Sequence, residues 1–303
     1  MGARTDANTT DWTIGRLLNW TSDYLTRHGV EDARLASEVL LAHATGCRRI
    51  DLYTWFERTV AGAQLDRFRD WVRRAAAGEP IAYIVEEKEF FSLAFRVTPD
   101  VLIPRPETEV LVECVLDHCA RAGLSQPQLL DIGTGSGCIV VAVLTQLESA
   151  RAVATDVSPA ALTIAKLNAE RHRVSDRLAL VEADRLALPG EVVPESGFDV
   201  LMSNPPYVGV DGMDSLDTMV RKYEPAVALT NGGDGLSFYR SIAESGASLL
   251  AAGGVVIVEV ANGQAASASE VVEETGKFVH RETRTDRVVG QDRVVVFSLA
   301  GKA

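Results

Sequence analysis

Residues 129–137 read Leu-Leu-Asp-Ile-Gly-Thr-Gly-Ser-Gly, an apolar run that passes directly into alternating glycines. Leu129–Ile132 is short, apolar and bounded by turn residues, a pattern that predicts a buried strand of a parallel sheet. Glycines allow the backbone to turn tightly and to approach a ligand, and the helix predicted after them offers unpaired backbone N–H groups. The stretch therefore predicts a ligand-binding turn between a strand and a helix of an α/β fold.

The spacing of these glycines narrows the class of ligand. A dinucleotide fingerprint counted from Gly133 requires Gly or Ala where the sequence has Cys138, and no Gly-Lys-Ser/Thr follows to form a P-loop. The remaining pattern, Asp-x-Gly-x-Gly-x-Gly from Asp131, favours a ligand with a carboxylate over one with a pyrophosphate. The predicted cofactor-binding residues of this turn are Asp131, Gly133, Thr134, Gly135, Ser136 and Gly137.

Strand and helix patterns alternate from residue 128 onward, which predicts a doubly wound α/β sheet. Strands are predicted near 128–132, 152–156, 178–182, 198–203, 254–261, 279–285 and 293–299. Helices are predicted near 137–149, 159–171, 237–251 and 264–275. Only the turn at residues 288–292 separates the last two strands, so we expect the sheet to end in an antiparallel pair.

Acidic side chains recur where successive strands end. Asp156 follows the second strand, where an acidic residue can accept from ribose hydroxyls, and Asp184 with Arg185 follows the third, where a carboxylate can accept from an adenine amino group. Each aspartate taken alone could instead be a helix cap or a turn residue. Their recurrence ahead of Asn204 at the fourth strand end favours a nucleoside-binding rim at the carboxyl edge of the sheet.

The apolar run Phe198–Ser203 is followed by Asn204-Pro205-Pro206-Tyr207. Each X-Pro step holds the preceding residue out of the helical region, and proline has no N–H, so the Pro205 carbonyl has no neighbouring ring donor. The Asn204 carboxamide adds a second acceptor and Tyr207 adds a flat face. These groups suit a planar ligand that ends in NH₂, such as a carboxamide or an exocyclic base amine. The alternative is that the four residues form only a proline-rich turn after a strand.

The N-terminal part of the chain shows a helical pattern without strands, from residue 12 to about residue 77. The break at 77–80 and the aromatic, β-branched run at 81–97 predict a boundary followed by a β-hairpin. We therefore expect a helical bundle over residues 1–78, a hairpin linker over 79–100 and a catalytic domain over 101–303. We expect four arginines on the solvent-facing side of the bundle, as solvated side chains or as a docking surface for a partner: Arg67, Arg69, Arg73 and Arg74.

Composition argues against several kinds of site and partner. The net charge is −12, and because residues 1–80 carry as many acidic as basic side chains, the remainder carries the whole excess. Nucleic-acid binders usually present basic surfaces instead. No apolar run approaches the ~20 residues of a membrane helix, and residues 1–11 lack the apolar core of a signal peptide, so we expect a cytoplasmic protein. The cysteines and histidines show no metal-ligand spacing, so we expect no metal.

Asp131–Gly137, Asp156 and Asn204–Tyr207 together resemble the motifs of class I S-adenosylmethionine methyltransferases that act on an amide or amine nitrogen. Further stretches resemble the release-factor glutamine methyltransferases of the HemK type, and this similarity covers nearly the whole chain. They are Ile103–Glu109, Tyr223–Leu229 with Gly232–Leu236, and Gly290–Val295. The chain departs from the family pattern at Glu86 and Ala261, where glycine is common, in loops outside the core motifs.

The resemblance implies a fold, a cofactor and a reaction. The fold is the α/β class I methyltransferase fold, a doubly wound seven-stranded sheet with a small N-terminal helical bundle and a linking β-hairpin. The cofactor is S-adenosyl-L-methionine, and the methyl acceptor is the glutamine amide in the Gly-Gly-Gln loop of class I peptide-chain release factors. We expect the bundle to hold the release factor and the protein to act as a monomer.

The implied catalytic residues are Asn204, Pro205, Pro206 and Tyr207. In this hypothesis the Asn204 and Pro205 carbonyls each accept one amide N–H of the glutamine, and Tyr207 packs on the amide plane. Asn204 also borders the cofactor. Three alternatives stay open: a glutamine of a ribosomal protein, an adenine amino group of a nucleic acid, and a cofactor-binding module without catalysis. The acidic catalytic part disfavours the second, because base methylation requires flipping and a basic groove.

Overall fold

The computed structural model of the protein describes residues 12–286 and 290–301. Sequence features at residues 1–11, and residues 288 and 289 of the last predicted turn, lie outside the described part. The chain divides after Glu86 into two compact units, and each unit has hydrophobic clusters of its own. The three-part division with a separate hairpin linker stays a prediction.

The first unit is helical, as predicted. Its helices are α1 (Ile14–Arg27), α2 (Ala33–Thr45), α3 (Arg49–Thr54), α4 (Gly62–Ala76) and α5 (Ile81–Val85). The Thr13 side chain caps α1 by accepting from the backbone amide of Arg16, and Gly46 ends α2 with a φ of 70°. Leu18, Leu40 and Phe68 are fully buried between α1, α2 and α4, so the bundle is held by the apolar stripes that the helical spacing indicates.

The second unit opens with a hairpin of β1 (Glu87–Phe90) and β2 (Leu93–Arg96). The predicted hairpin began too early, because residues 81–85 form helix α5 directly after Pro80. Pro80 is the N-cap of this helix, and its carbonyl accepts from the backbone amides of Tyr83 at 3.0 Å and Ile84 at 3.1 Å, which closes the first helical turn. Phe90 and Phe95 pack edge to face with their ring centres 6.1 Å apart, which anchors the hairpin in the core.

The main sheet has seven strands in the order β5-β4-β3-β6-β7-β9-β8. The strands are β3 (Gln128–Ile132), β4 (Arg151–Asp156), β5 (Leu178–Glu182), β6 (Phe198–Ser203), β7 (Leu250–Glu259), β8 (Phe278–Thr285) and β9 (Asp292–Leu299). Neighbours pair in parallel from β5 to β7, whereas β9 runs antiparallel to both β7 and β8. The predicted doubly wound sheet and its antiparallel end are confirmed.

Helices cover both faces of this sheet. They are α6 (Glu109–Ala122), α7 (Cys138–Gln146), α8 (Pro159–Arg171), α9 (Thr218–Tyr223), α10 (Ala226–Leu229), α11 (Ser237–Ser245) and α12 (Ala265–Glu273). One apolar cluster joins α6 and α7 to one face, and a second joins α11 and α12 to the other. The strand order reverses beside β3, whose neighbours are β4 and β6, so β3 ends at the switch point where α/β folds bind their ligands.

Two boundaries differ from the prediction. Helix α11 ends at Ser245 rather than near 251, and β7 begins at Leu250 rather than 254, because Leu250 pairs with Phe198 ahead of an irregularity in the β6–β7 register. Helix α6 begins at Glu109, after a 3-10 turn over Pro106–Thr108. None of the helices in the described part of the chain combines the length and hydropathy that a membrane span requires.

Candidate active site

A cleft of about 400 Å³ opens at the carboxyl ends of β3, β4, β5 and β6. Most of the predicted site residues line it together. They are Gly133, Thr134, Gly135, Ser136, Asp156, Asp184, Arg185, Asn204, Pro205 and Pro206. Asp131, Gly137 and Tyr207 lie behind this lining rather than in it. The tertiary structure thus brings four separate strand ends to one cavity, as the pattern of polar strand ends predicts.

The glycine turn lies between β3 and α7 and is held at both ends. Gly133 and Gly135 have φ of 71° and 55°, a region that L-residues with side chains rarely adopt. The backbone amide of Thr134 donates to the Thr155 carbonyl at 2.8 Å, which ties the turn to β4. Gly137 caps α7 with a φ of 78°, and an added Cβ there would lie 3.2 Å from Ala165. Gly137 therefore serves close packing of the turn rather than lining the cleft.

Asp131 supports the glycine turn from the interior of the protein. Its carboxylate is fully buried, Oδ2 accepts from the Thr134 hydroxyl at 2.7 Å, and Oδ1 has no partner among the described residues. Burial raises the pKa of Asp131 to about 7, against the opposing effect of the Thr134 hydrogen bond. In this position Asp131 shapes the turn through Thr134, and its predicted contact with the cofactor stays a prediction.

Asp156 and Asp184 form the rim, but they are held differently. Asp156 is half-buried, and its carboxylate accepts from the backbone amides of Gly135 and Ser158, both at 2.9 Å. Asp184 is exposed, and its nearest cation is Arg185 at 3.8 Å. Arg185 has a φ of 52° and donates to the Ser241 hydroxyl at 3.2 Å. Asp156 is thus a fixed acceptor, whereas Asp184 is a solvated one.

Two hydrogen-bond acceptors at the end of β6 are available to a ligand. Asn204 donates through Nδ2 to the Thr108 hydroxyl at 3.3 Å, while the described residues provide no donor for its Oδ1 or for the Pro205 carbonyl. The next two carbonyls are engaged: that of Pro206 accepts from Asn231 at 3.2 Å and that of Tyr207 from Gln264 at 3.3 Å. Within the motif, therefore, Asn204 and Pro205 are the two residues that offer free oxygens beside the cleft.

Tyr207 lies elsewhere than the hypothesis expects. Its hydroxyl donates to Oε1 of the buried Glu259 at 3.3 Å, and its ring does not line the cleft. Burial is the main cause that raises the pKa of Tyr207 above its ordinary range, so the hydroxyl stays protonated and donates. Its packing on an acceptor amide stays a prediction, and the described contact is with the end of β7.

Several residues of the site carried no local signal. Arg105 lines the cleft and forms an ion pair with the buried Glu224, and Thr108 also lines the cleft. The prolines on both sides of Arg105 predict a rigid loop, which from the sequence is either structural or a wall of the active site. Nothing in the local sequence indicates that Glu259 is buried, although Ala261 two residues later departs from the family pattern. Each of these residues meets its partner across many positions of sequence, so only the fold reveals the contact.

Comparison with known protein families divides the chain in two. The family model described as the PrmC N-terminal domain matches residues 16–85, and that of the methyltransferase small domain matches residues 106–236. Among solved structures, the hMettl16 catalytic domain in complex with a MAT2A 3′UTR hairpin aligns with a TM-score of 0.54 at 19% identity, over 77% of this chain and 82% of that one. This likeness supports the class I methyltransferase fold.

Curated relatives align over almost their whole length. The release factor glutamine methyltransferase of Rhodopirellula baltica is 40% identical over 95% of this chain and 97% of its own. That of Geobacter sulfurreducens is 42% identical over 92% of this chain and 96% of its own. The family suggested by the sequence motifs is confirmed: the chain belongs to the release factor glutamine methyltransferases.

Proposed function

We propose that this protein transfers a methyl group from S-adenosylmethionine to the side-chain amide nitrogen of the glutamine in the Gly-Gly-Gln loop of class I peptide-chain release factors. The observation that carries the proposal is the pair of open acceptors, Asn204 Oδ1 and the Pro205 carbonyl, at one wall of the cleft. A primary amide has two N–H donors on one nitrogen, and two adjacent acceptors can engage both.

The part of the cleft formed by the glycine turn fits S-adenosylmethionine. An added Cβ at Gly133 or Gly135 would have no neighbour within 4 Å, so the space beside this backbone is open to a ligand that lies against it. The fixed carboxylate of Asp156 suits ribose hydroxyls, and we assign Asp184 and Arg185, which also line the cleft, to the adenine. When bound, the cofactor supplies an electrophilic methyl group, which is the demanding part of the chemistry.

The protein's own contribution is positioning. A glutamine amide nitrogen is a weak nucleophile, because its lone pair is delocalised into the carbonyl, and no side chain at this wall is basic enough to deprotonate it. With both N–H groups held by Asn204 and Pro205, the nitrogen is oriented and its lone pair directed away from these acceptors. Alignment of this kind can lower a barrier by about 7–11 kcal/mol when the geometry is near attack. The same acceptors stabilise the positive charge that develops on nitrogen, and the excess proton then leaves to solvent.

The first unit is the part of the chain that we propose to hold the release factor. It contains an apolar groove of about 340 Å³. The groove is lined by Trp12, Leu17, Trp20, Tyr24, Phe68, Arg69, Val72 and Arg73. Trp20 is 47% exposed and stacks on Tyr24 with ring centres 5.0 Å apart. Exposed tryptophans flanked by arginines are typical centres of protein interfaces, so the groove suits a partner with apolar and acidic side chains.

We further propose that the protein acts in the cytoplasm as a monomer and without binding nucleic acid. The excess of acidic side chains beyond residue 80 supports the last point. The remaining alternatives are a glutamine of a ribosomal protein and an adenine amino group. Both would use the same pair of acceptors, so they differ from the proposal in the substrate and not in the chemistry.

The deciding experiment is transfer of labelled methyl from S-adenosylmethionine to a purified release factor. The matched control is the same factor with its Gly-Gly-Gln glutamine changed to glutamate. Label on the intact factor alone is the expected result. If the intact factor stays unlabelled while a ribosomal protein or an RNA is labelled under the same conditions, the proposed substrate is wrong.

A further inference from the structure

Helix α8 contacts both the glycine turn (residues 133–137) and the hairpin of β1 and β2. Near the end of this helix lies Asn168, whose side chain is fully buried. Its Nδ2 donates to the Ser136 carbonyl at 2.8 Å and to the Arg96 carbonyl at 3.0 Å, and its Oδ1 accepts from the Arg96 amide at 2.7 Å. One side chain is therefore bonded to the glycine turn and to the last residue of β2 at the same time.

The three hydrogen bonds explain why this buried position holds a carboxamide. Each hydrogen of the Asn168 NH₂ group has a carbonyl partner and the oxygen has an amide partner, so the cost of burying these polar atoms is offset. Leucine and aspartate have nearly the same shape as asparagine, but neither can donate to two carbonyls. The position therefore depends on the hydrogen bonds of asparagine and not on its volume.

The Ser136 carbonyl belongs to a part of the turn that needs external support. Its neighbours Gly135 and Gly137 have φ of 55° and 78°, and without a Cβ on either side the peptide units can rotate at little steric cost. The peptide between Ser136 and Gly137 is held at both ends, because Asn168 binds its carbonyl and its amide donates to the Thr134 carbonyl at 2.8 Å. Ser136 lines the cleft, and the described residues offer no acceptor for its own amide, which can therefore donate to a ligand.

The other partner, Arg96, precedes one wall of the cleft. Five residues of the stretch 100–105 line the cleft, beginning four residues after Arg96. The hairpin has a second contact at the end of α8, where His172 Nε2 donates to the Ala94 carbonyl at 2.9 Å. Within the described part of the chain, the hydrogen bonds of His172 do not reach the glycine turn, whereas those of Asn168 join the turn to the hairpin.

We infer that Asn168 is a positioning residue for the cofactor, which holds the Ser136 carbonyl, and with it the glycine turn, in the arrangement that S-adenosylmethionine binds. Through Arg96 the same side chain fixes the turn relative to the hairpin that leads into the wall of the cleft. The inference rests on the proposed function for the identity of the cofactor, and not for the methyl acceptor.

Two variants separate this role from general support of the hairpin. Asn168→Ala removes the bonds to Ser136 and Arg96, whereas His172→Phe removes the bond to the hairpin and keeps a ring beside Phe95, whose centre lies 5.1 Å from that of His172. We expect Asn168→Ala to raise the Kd of S-adenosylmethionine by on the order of tenfold, because a buried carbonyl of the turn loses its donor. His172→Phe should keep the wild-type Kd within about twofold, as measured by isothermal titration calorimetry.

Residue-resolved amide hydrogen exchange gives a readout that loss of stability alone does not reproduce, when the amides of β6 serve as the reference for global opening. In the cofactor-free protein, Asn168→Ala should speed exchange at both Gly137 and Arg96 by on the order of tenfold relative to this reference. His172→Phe should leave exchange at Gly137 unchanged. In the wild type, S-adenosylmethionine should slow exchange at Arg96, which does not line the cleft, because the cofactor holds the turn to which Asn168 joins it.

An unchanged Kd in Asn168→Ala, equal rises of Kd in the two variants, or unchanged exchange at Gly137 in Asn168→Ala would overturn the inference. If circular dichroism shows that Asn168→Ala does not fold, the wild type decides: slower exchange at Arg96 with cofactor supports the inference, and unchanged exchange overturns it. A wild type that binds S-adenosylmethionine but does not methylate the release factor would overturn the proposed function and leave the inference standing. A wild type that does not bind S-adenosylmethionine would overturn both.

Discussion

The backbone amide of Gly135 donates to the Asp156 carboxylate at 2.9 Å, which joins the glycine turn after β3 to the polar end of β4. The same carboxylate accepts from the amide of Ser158, so its position is set by backbone donors on two sides. Each carboxylate oxygen keeps a further lone pair for a ligand. Asp156 therefore both stabilises the glycine turn and offers a hydrogen-bond acceptor at the rim of the cleft.

Replacing Asp156 should weaken cofactor binding more than it slows turnover at saturation. We expect Asp156→Ala to raise the Kd of S-adenosylmethionine by on the order of tenfold or more, because hydrogen bonds to a charged acceptor contribute about 1.5–3 kcal/mol. Isothermal titration calorimetry measures the effect, and Asp184→Ala, at the solvated end of the rim, is expected to raise the same Kd by a smaller factor. An unchanged Kd in Asp156→Ala would remove Asp156 from the cofactor site.

Asn204→Ala should have the opposite profile. The variant loses one of the two open acceptors but leaves the glycine turn intact, so we expect kcat to fall by on the order of a hundredfold or more while the cofactor Kd changes little. Single-turnover methylation of a release factor and calorimetry on the same preparation measure both quantities. Equal losses in kcat and in cofactor affinity would contradict the assignment of Asn204 to the methyl acceptor.

The ion pair between Arg105 and Glu224 should contribute to stability through the buried partner. The Glu224 side chain is 2% exposed and that of Arg105 is 34% exposed. Arg105→Ala leaves a buried carboxylate without its cation, so we expect the free energy of unfolding to fall by about 1.5–3 kcal/mol. Urea denaturation followed by circular dichroism measures this loss. Adding Glu224→Gln to Arg105→Ala should recover part of the lost free energy of unfolding. If the losses of the two single variants simply add in the double variant, the two residues do not act as a pair.

Asp131 should make the stability of the cofactor-free protein depend on pH. Its pKa in the folded protein, about 7, lies above the ordinary range of an aspartate, so between roughly pH 4 and pH 7 the folded state binds more protons than the unfolded state. Stability therefore falls as the pH rises through this window, and the destabilisation is complete above about pH 7. We expect Tm to decrease between pH 5.5 and pH 7.5 less steeply in Asp131→Asn than in the wild type. Parallel Tm profiles would contradict a raised pKa.

Trp20 should contribute to binding of the protein substrate. We expect Trp20→Ser to raise KM for the release factor by on the order of tenfold, as for a central interface residue, with kcat and the cofactor Kd unchanged. Trp55→Ser is the matched control, because Trp55 is a 39% exposed tryptophan of the same unit that does not line the groove. Equal effects of the two substitutions on KM would place the release factor elsewhere.

Much of the catalytic unit follows from local sequence. The run from Leu129 to Gly137 indicates strand, turn and helix by apolar pattern and glycine spacing alone. The polar residues Asp156, Asp184 and Asn204 each follow an apolar strand, and parallel strands in one sheet bring their carboxyl ends to the same edge. For this reason the main sheet, the cleft and most of its lining could be predicted from the sequence.

The sequence predicts the ends of helices and strands less well where the local conformational preference competes with pairing between strands. The residues that follow α11 were expected to remain helical, yet Leu250 joins β7 because it pairs with Phe198. The aromatic, β-branched run after Pro80 predicts a β-hairpin, yet its first residues form a helical turn in which the Pro80 carbonyl accepts from the amides of Tyr83 and Ile84. The start of β7 depends on a strand partner that the local pattern does not contain.

The sequence by itself determined the order of the strands and helices along the chain, the glycine turn and the motif at Asn204, because each depends on residues close together in the chain. The tertiary structure alone decided which side chains stand behind that motif. Thr108 reaches Asn204 from the start of α6, and Glu259 reaches Tyr207 from the end of β7. Hydrogen bonds between residues so far apart in sequence follow from strand register and helix packing, and these are properties of the assembled sheet.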